Sequence, residues 1–145
     1  TEVVICYTGA VAPEAIEAAG MIGNDRRGVA VLAITSADRA SAGWHAAERA
    51  RQRGDQNAIS HIEKLLQDVP RDAGMVTVVD GHPLTLSWLG AVYGNQVKAL
   101  GVEHFGQTGT VADLFHYYGI DANAIAHAAN AVATGRPLRY LRALS

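Results

Sequence analysis

Val29-Ala30-Val31-Leu32-Ala33-Ile34-Thr35 is apolar at every position but the last and carries no charge. A strand of a sheet with one wet face alternates apolar and polar residues. A strand apolar at both parities is covered on both faces, which is the situation of a parallel sheet layered between helices. Outward from this run the chain repeats the same grammar. Upstream, Val3-Val4-Ile5-Cys6-Tyr7 is a run of β-formers that stops at the turn residues Thr8-Gly9. Pro13 then suits the first turn of a helix, with Glu14 near its positive end. Gly23-Asn24-Asp25 stops that helix.

Downstream, Ser36 is placed to cap a helix that runs to about Gln52, with Gly43 as its weak point. Gly54-Asp55-Gln56-Asn57 breaks the chain, Ile59, Ile62 and Leu66 recur at helical spacing, and Pro70 ends the element. Met75-Val76-Thr77-Val78-Val79-Asp80 is a third strand, and Gly81-His82-Pro83 turns out of it. Leu84, Trp88, Leu89 and Val92 form one face of a short helix, and residues 97–102 form a fourth strand. Thr110, with Asp113 three residues on, caps a helix whose stripe is Val111, Leu114, Phe115 and Tyr118, closed by Gly119. Asp121 caps the last helix, with Ile125, Ala128, Ala129 and Val132 inward and Gly135 and Pro137 at its end. The tail carries Leu138, Tyr140, Leu141 and Leu144 and is expected to pack. Strands alternating with helices give an α/β three-layer sandwich with a mostly parallel sheet of four or five strands. The fifth, an edge strand, has no assignable position.

The bulk numbers agree. A chain of 145 residues is one domain and buries about two-thirds of its unfolded surface. A hydrophobic fraction of 49%, a charged fraction of 18% and a net charge of −2 give no electrostatic case for nucleic acid or an acidic membrane. The arginines cluster at Arg49, Arg51 and Arg53 and at Arg136, Arg139 and Arg142, without aromatic interleaving, and read as solvated helix faces. Cys6 is the only cysteine, so no internal disulfide forms; this fits a reducing, cytoplasmic setting, and its apolar strand makes it an inert buried thiol. No apolar run reaches the ~20 residues of a membrane span, and no signal-peptide pattern is present. The chain opens at Thr1 and is in a strand by Val3. That start reads as a domain boundary within a longer polypeptide.

Candidate chemistry is sparse. Gly9 stands alone where a dinucleotide site needs three glycines, and no Walker pattern occurs. Asp80 and His82 sit at the carboxyl end of a strand, where open α/β sheets place function, and an Asp–His pair could do acid–base work. Asp-Gly-x-Pro is also what a turn into a helix requires, and that reading takes precedence. His45, His61, His82, His104, His116 and His127 lack metal-ligand spacing, and Ser87 lacks the flanking glycines of a nucleophile elbow. Gly106-Gln107-Thr108-Gly109-Thr110 joins a strand to a helix, offers backbone donors at the helix's positive end, and is a candidate anion-binding loop or an ordinary glycine-rich connection. Trp44, Trp88 and Tyr117 are candidate interface aromatics.

Leu100-Gly101-Val102-Glu103-His104-Phe105-Gly106-Gln107-Thr108-Gly109-Thr110, followed by Asp113-Leu114-Phe115-His116-Tyr117-Tyr118-Gly119-Ile120-Asp121-Ala122, resembles the C-terminal domain of the transketolase family. Val4-Ile5-Cys6-Tyr7-Thr8-Gly9 and the helix from Pro13 look like that domain's opening strand and helix. Within the family, Ala33-Ile34-Thr35-Ser36-Ala37-Asp38-Arg39, then Gly43-Trp44, a basic helical insertion through Arg53, and His61-Ile62-Glu63 look most like the homodimeric pyruvate dehydrogenase decarboxylating component.

The resemblance covers nearly the whole chain, and part of what it implies is negative. In such enzymes thiamine diphosphate and magnesium lie between two upstream domains. The Gly-Asp-Gly…Asn diphosphate motif is missing here: Asp80-Gly81 lacks the first glycine and no matching Asn follows. The resemblance therefore implies no catalytic, cofactor or metal residue in this domain. It implies as partners the upstream domains of the same polypeptide, a second protomer, and a lipoyl-bearing acyltransferase. A transketolase parent moving two-carbon ketol units, a stand-alone anion-binding module and a dimerisation module remain open as alternatives.

Overall fold

The structure, a computed structural model, describes residues 2–24, 28–102 and 119–134. Four strands, β1 (Val3–Thr8), β2 (Val29–Ala33), β3 (Gly74–Val79) and β4 (Val97–Leu100), form one sheet in the order β2-β1-β3-β4. All three pairings are parallel, with Val3 opposite both Val29 and Gly74, and Met75 opposite Val97. The helices are α1 (Ala12–Asn24), α2 (Ala37–Gln52), α3 (His61–Leu66), α4 (Leu84–Ser87), α5 (Gly90–Tyr93) and α6 (Ala122–Thr134).

The period of two along each strand divides the core. Val3, Ile5, Val76 and Val78 face one way and pack with Ala15, Ala18 and Ile22 of α1 and Ile125, Ala129 and Val132 of α6. Val4, Cys6, Met75 and Val79 face the other way, with Ile62 and Leu66 of α3, Leu86 of α4 and Leu89. The result is the three-layer α/β sandwich, with every residue of the central strand β3 buried. Alanines dominate the α1 and α6 faces, and small side chains let those helices lie close together and close to the sheet. At Gly74 any Cβ would collide with Val132 of α6, so that contact requires glycine. Cys6 lies fully buried in this core, and burial pushes its thiol up to about 12. Among the described residues no helix is long and apolar enough to cross a membrane.

The caps read from sequence hold where they are described. The Ser36 side chain accepts from Arg39 N at 3.4 Å, and Asp121 Oδ1 accepts from Ala124 N at 2.9 Å. Several boundaries differ. β2 ends at Ala33, although Ile34 N still donates to Tyr7 O at 2.8 Å. β4 ends at Leu100 because Val102 N turns to Gly81 O, at 2.6 Å. The expected helix from Leu84 to Val92 is two single turns, α4 and α5, closed by Gly94 at φ +79°. Its stripe is only partly inward: Leu89 is buried, Trp88 and Val92 are half-buried, and Leu84 is 71% exposed. Ile59 is likewise not on a helix. Ser60 caps α3 and leaves Ile59 exposed in front of it. The expected helix over 111–118 and the tail from Leu138 lie outside the described residues.

Candidate functional site

The polar site anticipated at Asp80 and His82 lies at the carboxyl edge of the sheet. From β1 the chain steps to β2 on one side, and β3 lies on the other. The switch point of the sheet, where α/β folds tend to bind ligands, is therefore between the ends of β1 and β3. Thr8 and Val79 are opposite each other there, so Gly9 and Asp80 emerge side by side. Asp80 Oδ2 accepts a hydrogen bond from Ala10 N at 3.1 Å. Gly9 has φ +86°, and a Cβ on it would run into the Asp80 carboxylate, so both conformation and space demand glycine. Asp80 thus occupies the crevice with its own carboxylate.

The neighbouring residues complete this loop junction. Gly81 O accepts from Val102 N, and a Cβ on Gly101 would meet Gly81 O at 2.5 Å and Pro83 N at 2.8 Å. His82 is exposed, and its Nδ1 accepts from Leu84 N at 3.2 Å. No hydrogen bond joins Asp80 to His82 among the described residues; each is engaged with a different loop amide. The arrangement ties three loop ends together and presents no aligned acid–base pair. The second candidate, the loop Gly106-Gln107-Thr108-Gly109-Thr110, lies outside the described residues.

A polar network surrounds Glu63, a residue given no role above beyond its place in His61-Ile62-Glu63. Glu63 is the only charged residue in the buried set among those described. Its Oε1 accepts from Ser60 N at 3.1 Å, Ser60 Oγ at 2.8 Å and Arg51 Nη1 at 3.0 Å. Burial alone would raise the carboxyl pKa. The hydrogen bonds from Ser60 and Arg51 outweigh it and hold Glu63 below the ordinary carboxylate value. Arg51 also bonds Glu48 Oε1 at 2.8 Å and Ala58 O at 2.9 Å. Hydrogen bonds to Glu48 and Glu63 hold its own value above the ordinary one.

Arg51 therefore departs from the expected solvated basic face, on which Arg49 and Arg53 do remain exposed. The signal that would have found this network is the capping-box spacing of Ser60 and Glu63. Tyr93 OH donates to Glu63 O at 3.0 Å, and the Arg71 guanidinium lies 3.7 Å from the Tyr93 ring centroid, extending the network to α5. Of the candidate interface aromatics, Trp44 and Trp88 are half-buried and stack on each other, with centroids 5.6 Å apart and planes at 22°. Tyr117 lies outside the described residues.

Among the described residues no group of three or more His, Cys, Asp or Glu is placed to hold a metal ion. Asp80 Oδ2 and Glu63 Oε1 both accept hydrogen bonds from protein donors.

No family model matches the chain, and no curated protein matches it. Solved structures do. A chain of a split-gene transketolase, described as an inactive beta4 tetramer, superposes with a TM-score of 0.66 and 21% identity over 92% of this chain. The fold is transketolase-like. Transketolase from Pichia stipitis in complex with sedoheptulose-7-phosphate gives a TM-score of 0.61 and 14% identity over 94% of this chain. A further variant of the Pichia stipitis enzyme gives 0.58 and 17%. The chain spans 39% of the split-gene transketolase chain and 17% of the Pichia stipitis chain in that complex.

Proposed function

We propose that this chain is the C-terminal domain of a thiamine-diphosphate enzyme, the decarboxylating component of a pyruvate dehydrogenase, and that it supports the dimer and the active-site architecture without catalysing. The observation that carries the transketolase-like part is the superposition of 92% of the chain on a transketolase chain at a TM-score of 0.66. The choice of pyruvate dehydrogenase is supported by the basic stretch of α2 and the connection to α3. That connection is a built element, pinned by Arg51 to Ala58 O and Glu63. In this reading thiamine diphosphate and magnesium are held by upstream domains of the same cytoplasmic polypeptide. They supply the means to decarboxylate a 2-oxo acid, and the acyl group passes to a lipoyl-bearing acyltransferase. The chain's own residues contribute packing surfaces and a rigid junction at Gly9, Asp80 and Gly101.

A second reading, a transketolase parent moving two-carbon ketol units between sugar phosphates, is favoured by the transketolase identity of the superposed structures. Assay of the full-length parent separates the two. Turnover of pyruvate with a lipoyl acceptor is the expected result, and turnover of a ketose phosphate in its place establishes the second reading. The domain reading itself is tested by the size of the native polypeptide, through immunoblot of source extract. A band well above 15.3 kDa is expected. A band at 15.3 kDa would leave a stand-alone module, whose Gly106–Thr110 loop would then be titrated with phosphate.

A further inference from the structure

We draw no further inference here: the strongest candidate, the surface patch of the half-buried Trp44–Trp88 stack, is an unpartnered apolar face, and nothing in the structure shows what covers it.

Discussion

Gly9 and Asp80 are far apart in sequence and meet at the carboxyl edge of the sheet, where Ala10 N donates to Asp80 across 70 residues of chain. Their contact combines a positive φ with a space too small for a methyl group. Gly9→Ala is expected to lose roughly 2–3 kcal/mol in urea unfolding, as a strained left-handed backbone and a steric clash together would cost. Asp80→Ala removes the carboxylate that the new methyl meets, so the double variant should lose less than the sum of the singles. Strict additivity would show that the two residues do not press on each other. Thr77 offers the opposite case. Its Oγ1 is buried in β3 without a hydrogen-bond partner among the described residues, so desolvating it stabilises nothing. Thr77→Val keeps the shape and should be neutral or stabilising by up to about 1 kcal/mol in the same unfolding experiment. A clear loss of stability would mean that the hydroxyl has a partner.

At the scale of elements, α2 and α3 show how local rules and tertiary contacts divide the work. Gly43 lies inside α2, and a Cβ added there would meet nothing within 4 Å among the described residues, so this glycine costs helix stability without a packing gain there. Gly43→Ala should raise stability by roughly 0.5–1 kcal/mol, read as a higher urea midpoint with unchanged slope. The Arg51–Glu63 pair gives the connection between the helices its pH dependence. The folded-state value of Glu63 is depressed, so its contribution is present above the unfolded carboxylate value, about 4.3, and is lost as pH falls through the lower folded value. Glu63→Gln should flatten the acid limb of stability against pH below the unfolded carboxylate value. An unchanged limb would locate the acid sensitivity in other carboxylates. The capping partnership of Glu63 with Ser60 was written in their spacing, though it is not among the readings above. The pairing of Glu63 with Arg51 was not so written, because an ion pair twelve residues apart depends on how α2 and α3 cross.

For the whole molecule, Cys6 is a natural probe. It sits fully buried in β1, between β2 and β3, and burial raises its thiol to about 12, so in the folded state almost no thiolate meets solvent at neutral pH. Its labelling by an aromatic disulfide reagent should follow global unfolding, with the labelling rate rising with urea along the unfolding curve. Fast labelling in water would show that β1 opens locally.

The sequence by itself determined the identity of all four described strands, the caps at Ser36 and Asp121, and the inward stripe of α6. These are properties of single elements, written in period and in the residues at their ends. It also pointed to a sheet covered on both faces, which β1 and β3 bear out, whereas the run that carried the reading is the edge strand β2, where Val31 is 38% exposed and Ala33 is exposed as well. The tertiary structure alone decided the order β2-β1-β3-β4 and the seat of Asp80 on Ala10 N beside Gly9. It decided the exposure of Leu84 and Ile59 as well, both of which fit an apolar stripe on paper. Periodicity states which side of an element is apolar. Which neighbour that side meets, and whether the element is long enough to reach it, depends on the packing of segments far apart in the chain.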